Sequence, residues 1–401
     1  MPIGWTRASA RDRTAPALVT NASKTSLVRT LVLAVGVATV SLLLDRTFAD
    51  LLTDGSLRQL LMLTACNILV SVSLNVINGM AGQFSIGHAG FVGIGAYASA
   101  VVASQLHQKL GFDAPTLGHS FAVVPIALLV AGVLSGLFGF LLGLPSLRLK
   151  GDYLAIVTLG FAEIFRLLIS TAQIGTNETP GAAWASVRGV GSFFHAVGRS
   201  LSALGGQNGY AGPNDSGVPL YAGPFWIISI VTLMVCFAWR LKFSGWGRAL
   251  RALREDEIAA AAVGVEPTRY KVTSFVLAAV GAGVAGGLLG MMRDGTPAVQ
   301  PDTYNFQASF DAITMVIIGG SGSVSGAVLG GVLVTLSIKV IEYVQGAPII
   351  QDLKRAAPWL DLNALRMIIY SAVLILLMIR RPEGLLGERE LFQKRARSKG
   401  A

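Results

Sequence analysis

Residues 121–145 read FAVVPIALLVAGVLSGLFGFLLGLP, a run without a single charge. A bilayer core takes roughly 20 apolar residues of helix to cross, so this stretch predicts a transmembrane span. The same criterion, applied outward along the chain, gives ten candidates at about 27–44, 58–78, 87–105, 121–145, 153–171, 223–241, 272–292, 307–320, 323–345 and 364–380. The third and eighth are weak as full crossings. Composition agrees, since 53% of the 401 residues are hydrophobic and only 13% are charged. A soluble domain carries about twice that charge fraction. The predicted fold class is all-α: a polytopic transmembrane helical bundle of about ten membrane segments, some of them broken by glycine. Cys66 and Cys236 both lie in apolar runs, and two such cysteines make no disulfide framework.

The net charge of +10 could suit a nucleic-acid partner, but the cations cluster beside apolar spans, so none is expected. With the N-terminus inside, 21 of the 32 Lys and Arg fall in residues 1–30, 146–152, 240–271 and 380–401. Eight fall on the other side, a bias that follows the positive-inside rule. The predicted organisation is a cytoplasmic tail over 1–26, a transmembrane domain over 27–380 and a basic cytoplasmic tail over 381–401. The domain carries an external loop at 172–222 and a cytoplasmic loop at 242–271. The first span is followed by Asp45 and Arg46, with no evident small-residue cleavage site, so it reads as a membrane segment rather than a signal peptide.

The cytoplasmic loop contains RALRALREDEIAAAAVGVEPTRYK (248–271). Its Ala, Leu, Arg and Glu are strong helix formers. Trp246, Leu250, Leu253 and Ala260 or Ala261 share a narrow face, and Gly264 followed by Pro267 is a stop signal. Arg248, Arg251 and Arg254 precede Glu255, Asp256 and Glu257. One continuous helix would put cations at its positive end, so a break near Arg254 is expected. The basic face suits an outside partner. The alternative is a solvated helix, or one resting on anionic headgroups.

A second signal is a glycine-rich self-similarity. Shifted by 240 positions, Val76, Ile77, Gly79, Gly82, Ser85, Gly90 and Val92 align with Val316, Ile317, Gly319, Gly322, Ser325, Gly330 and Val332. The assigned topology makes this a parallel repeat, and glycine-interrupted segments at matching places point to a transport path. Broken backbone at membrane depth must be buried in protein or line a wet cavity. Asn75, Asn78, Gln83, Ser85 and His88 surround the first break. They serve either to satisfy the opened backbone or to meet the charged ends of a passing solute. The substrate-path candidates are therefore these five with Gly79, Gly82, Gly319 and Gly322. His88 has no metal-like spacing to another ligand, so no metal site is predicted. The pairs Gly132/Gly136, Gly139/Gly143, Gly283/Gly287, Gly286/Gly290, Gly322/Gly326 and Gly326/Gly330 predict close helix packing.

Charges within predicted spans are costly and should face protein or water. Glu163 and Arg166, at i and i+3, form either a structural pair or part of a polar path. Asp311, and Lys339 with Glu342, pose the same choice, and Glu163 and Asp311 join the path candidates. No nucleophile–base or metal constellation is evident, so no catalytic residue is predicted. The sequence has no G-x-x-x-x-G-K-[ST] and no Gly-Lys pair at all, so no Walker A loop holds ATP here.

Four blocks carry a family resemblance: LNVINGMAGQFSIGHAGFVGIGAYASA (74–100), LRLKGDYLAIVTLGFAEIFRLL (147–168), GRALRALREDEIAAAAVGVEPTRYKVTSFVLAAVGAGVAGGLLG (247–290) and VIIGGSGSVSGAVLGGVL (316–333). Their order is that of ABC-transporter permeases for branched-chain amino acids of the LivM type. The resemblance implies a bacterial inner-membrane permease subunit with both termini cytoplasmic. It implies two ABC ATPase subunits that hold ATP and Mg, a second homologous permease subunit and a periplasmic amino-acid-binding protein. This chain itself would need no cofactor. The loop around 246–264 would be the ATPase-coupling segment, with Trp246, Arg248, Leu250, Arg251, Leu253, Arg254, Glu255, Glu257 and Gly264 as its expected contacts. One element departs from the family. A T-G-G-x-N-G-like motif after the fifth span is replaced by TNETPGA (176–182), with AGPNDSG (211–217) as a displaced counterpart. Related permeases carry urea or short amides. An ion-driven secondary transporter using Glu163 and Asp311 is the alternative from another class.

Overall fold

The computed structural model describes residues 54–146, 152–172, 200–213 and 216–345, with isolated positions between 36 and 47, at 198, between 372 and 380, and at 384–387, 390 and 391. Most of the first and tenth predicted spans, and the TNETPGA segment, lie outside the described residues. Ten α-helices follow in order: α1 Gly55–Asn75, α2 His88–Lys109, α3 Leu117–Ser146, α4 Asp152–Ser170, α5 Pro224–Phe243, α6 Gly245–Glu255, α7 Glu257–Ala262, α8 Pro267–Gly290, α9 Phe306–Gly319 and α10 Val324–Gln345. Among the described residues there is no named strand, only isolated bridges Tyr210–Val299 and Ala222–Met292. These bridges dock the segment before α5 onto the loop after α8.

Among the described residues, six helical segments are long and apolar enough to cross a membrane, and two shorter apolar helices accompany them. The protein is a multi-pass helical membrane bundle. In hydrocarbon every backbone group must be paired within the chain, and helices do this segment by segment. The third predicted span, short by sequence, is the full 22-residue helix α2. Its glycines stay helical because neighbours enclose them. The eighth is the 14-residue helix α9, about 21 Å long at 1.5 Å per residue, and so only part of a crossing.

Glycine sets the depth of packing in the core, where α1, α2 and α8 meet α3 and α10. A Cβ on Gly95 would lie 2.1 Å from the Gly283 carbonyl oxygen, and one on Gly286 would lie 1.9 Å from that of Val92. The α2 and α8 backbones touch through these positions, as small-residue membrane interfaces do. Gly132, Gly136, Gly139 and Gly143 of α3 likewise receive Val284, Val280, Ala279 and Phe275 of α8. By contrast α3, α4 and α5 expose large apolar side chains, among them Leu129, Ile156, Ile164 and Leu233, which form the periphery that lipid or a partner helix covers.

Candidate functional site

The glycine-rich repeat is visible as geometry. α1 runs into a π-helical turn, Val76–Met80, then doubles back into α2. α9 ends at Gly319 and doubles back into α10. Gly82 and Gly322, 240 positions apart, both take positive φ, +67° and +88°, a conformation open to glycine at little cost. Both turns lie at the same end of the bundle, so the repeat is parallel.

The two turns meet. Asn75 Oδ1 accepts from the Gly322 amide at 2.9 Å, and its Nδ2 donates to the Ser323 carbonyl at 3.1 Å. A Cβ on Gly79 would fall 2.0 Å from Asn75 Oδ1 and 2.4 Å from the Gly322 nitrogen. Asn78 clasps Ser85 in the same two-sided way, accepting from its amide at 3.1 Å and donating to its carbonyl at 3.2 Å. His88 Nε2 lies 2.9 Å from Ser73 Oγ, both buried. Asn75 and Asn78 satisfy the opened backbone, whereas His88 meets a side chain. Gln83 differs, since its Oε1 is buried without a partner among the described residues.

Two further charges reach this junction. Arg254, in the last turn of α6, donates from Nη1 to the Gly79 carbonyl at 2.8 Å. Glu390 is buried against the start of α10. It accepts from the amides of Val324 and Ser325 at 2.8 and 2.9 Å, from the hydroxyls of Ser323 and Ser325, and from Lys242 Nζ at 2.5 Å. An anion is favoured at a helix N-terminus. Burial raises the Glu390 carboxyl pKa, but Lys242, the Ser325 hydroxyl and the two amides outweigh it and hold the group below its ordinary value. The amides of Leu385 and Leu386 donate to the Ile318 and Gly319 carbonyls, so this late segment seals the end of α9.

Away from the junction, toward the opposite end, a cavity of about 360 Å³ opens between α1, α2, α9 and the loop after α8. Ligand pockets run from roughly 300 to 1,000 Å³, which places this one at the small end. Leu63, Val70, Val92, Met315 and Ile338 make the wall apolar, and Asn67 and Asp311 add an amide and a carboxylate. Thr296 and Gln300 at the mouth are exposed. Ala89, next to His88, forms part of the floor, so the chain closes between cavity and junction.

A family model described as the branched-chain amino acid transport system permease component matches residues 56–378. The chain belongs to this family. It is similar to the high-affinity branched-chain amino acid transport system permease protein LivM of Salmonella typhimurium, at 34% identity over 81% of this chain and 68% of that protein. It is 33% identical to LivM of Escherichia coli K12 over the same shares. The LivH permease protein of S. typhimurium is 25% identical over 70% of this chain and 95% of its own length. No solved structure matches significantly.

Against this permease frame, the path candidates fall into three groups. Asn75, Asn78, Gly79, Gly82, Gln83, Ser85, His88, Gly319 and Gly322 gather at or beside the junction. Asp311 lines the cavity. Glu163 belongs to neither. It pairs with Arg166, whose other arm reaches Asp302 at 2.8 Å, tying α4 to the loop before α9. Sequence reasoning missed Asn67, Gln300 and Tyr304 as lining residues. Asn67 was detectable as an amide inside the apolar run LTACNILV.

The basic loop breaks where its charges required. α6 ends at Glu255, and Asp256 caps α7 by accepting from the Ile258 and Ala259 amides at 2.8 and 3.0 Å. Gly264 closes the segment with φ +89°. Leu250 and Leu253 are buried and Trp246 packs tilted against Tyr270. The arginines do not form one outward face. Arg251 lies against the Gly247 and Lys242 carbonyls, and Arg254 turns into the junction. Arg248 and Glu255 remain exposed, and Glu257 holds Lys271 at 2.6 Å. The outermost apolar groups are Ile258 and Val263, 83% and 79% exposed.

Proposed function

We propose that this chain is the transmembrane subunit of an ATP-driven importer of branched-chain amino acids. The observation that carries the reading is the small apolar cavity with Asn67 and Asp311 on its wall, set in a chain of this permease family. An aliphatic side chain matches Val70, Val92 and Met315, while a carboxylate and an amide suit a zwitterion's ends. Urea and short amides have no group for that apolar wall, so they fit less well.

The cation bias supports an orientation with the α6–α7 end in the cytoplasm and the cavity mouth outside, with both termini on the inner side of a bacterial inner membrane. Two ABC ATPases holding ATP and Mg would dock at α7, where Ile258 and Val263 offer an apolar tip. A second, LivH-like permease subunit would complete the membrane unit, and a periplasmic binding protein would deliver the amino acid. The domain limits 27–380, 172–222 and 242–271 follow from this orientation.

The test is uptake of radiolabelled leucine into proteoliposomes holding this chain with a LivH-like permease subunit, the ABC ATPases and a periplasmic binding protein. ATP-dependent uptake, competed by isoleucine and valine but not by urea, is the expected result. Accumulation by the solitary chain under a proton gradient would refute the reading.

A further inference from the structure

We propose that Arg254 is the positioning residue through which α6 holds the glycine-turn junction shut. This deepens the importer reading and rests on it for the source of motion, though not for the contact itself. Arg254 stands one residue before the α6–α7 break, at the root of the segment whose tip carries Ile258 and Val263. Its Nη1 takes the Gly79 carbonyl at 2.8 Å. That carbonyl lies in the last turn before the chain reverses, where helix oxygens lack intrahelical partners. The Arg254 stem fills the space a Gly82 side chain would need, its Cγ lying 2.6 Å from where a Cβ would stand. Nη1 lies 2.9 Å from the corresponding point on Gly322. One side chain therefore touches both repeat turns.

The rest of α6 favours motion as a body. Leu250 packs with Val72, Met80, Ala81, Ala238, Val324 and Ala327 in a cluster of its own, so displacement of the helix bears on both turns at once. A cation at the C-terminal end of α6 is also electrostatically favoured. Removing the guanidinium should leave Asn75 as the remaining side-chain link across the turns among the described residues.

The experiment reads access at the junction. Ala81 is buried beside Gly82; Ala81→Cys is made with Cys66→Ala and Cys236→Ala, and labelled by a membrane-impermeant maleimide in inside-out vesicles. Arg254→Ala should raise the labelling rate about tenfold, the change expected for loss of one charged hydrogen bond, and remove its dependence on vanadate trapping of the ATPases. Uptake should fall by a similar factor while the ATPases still co-purify, and Arg254→Lys should restore part of both. Gly82→Ala, which displaces the Arg254 stem but keeps its charge, should also raise labelling. Unchanged labelling in Arg254→Ala would overturn the proposal, and unchanged labelling with loss of co-purification would make Arg254 a docking residue instead. If the native chain binds no ATPase the importer reading fails, but labelling of the permease alone still decides the role of Arg254.

Discussion

The Lys242–Glu390 pair allows a quantitative test. Both side chains are almost wholly buried, at 5% and 0% exposure, with Nζ 2.5 Å from the carboxylate. Glu390→Gln keeps the shape but removes the carboxylate charge that Lys242 meets. Breaking a buried pair on one side costs about 3–5 kcal/mol, and the low exposure removes the solvent screening that makes surface pairs weak. The Gln oxygen can still accept from the α10 amides, so the loss belongs at the lower end, about 3 kcal/mol. The assay is thermal unfolding of the detergent-solubilised protein in a double-mutant cycle with Lys242→Met. The single Glu390→Gln protein should melt several degrees lower, and the double variant should recover most of the loss, because apolar replacement of a whole buried pair is close to neutral. Additive losses would refute a coupled pair. The pH dependence has a definite sign. The folded carboxyl titrates below its ordinary 4.5, so its contribution is complete above that value and disappears as pH falls through the lower, folded value. The gap between native and Glu390→Gln should be flat near neutrality and narrow below about pH 4.5.

Gly286→Ala forces a methyl to within 1.9 Å of the Val92 carbonyl. Overpacking of this kind costs about 1–3 kcal/mol, read as a lower melting temperature. Asp311→Asn should raise the leucine KM about tenfold, as loss of one charged contact predicts. Glu163→Gln should leave uptake kinetics unaltered, because Glu163 faces Arg166 and Asp302 rather than the cavity. Ile258→Asp with Val263→Asp should abolish ATPase co-purification without lowering thermal stability, since both side chains stand in solvent.

Membrane character and most span positions were legible because the bilayer's demand for about 20 apolar residues is a one-dimensional rule. The α6–α7 break was legible for a local reason as well: three arginines followed by three acids fit two short dipoles better than one. The parallel repeat appeared in the glycines because Gly82 and Gly322 perform the same backbone turn. What the sequence hid is long-range. Nothing local joins Arg254 to Gly79, or Glu390 to Lys242, and the C-terminal segment reads only as a basic cytoplasmic tail. Asn75, Asn78 and His88 look alike as polar residues near a break, and only their partners show that the two asparagines close backbone gaps while His88 meets the Ser73 hydroxyl. The cavity is lined from four separate stretches of chain, so its apolar character has no linear pattern.

The capture of Glu390 bears on the order of assembly. The ribosome makes α5, α9 and α10 before the carboxylate that joins Lys242 to the start of α10. Until position 390 emerges, Lys242 lacks this carboxylate and the α10 amides lack their acceptor, so the bundle is inserted before it is latched. A nascent chain released early would hold its spans yet lack this fastening, which gives membrane proteases a physical mark for recognising unfinished copies.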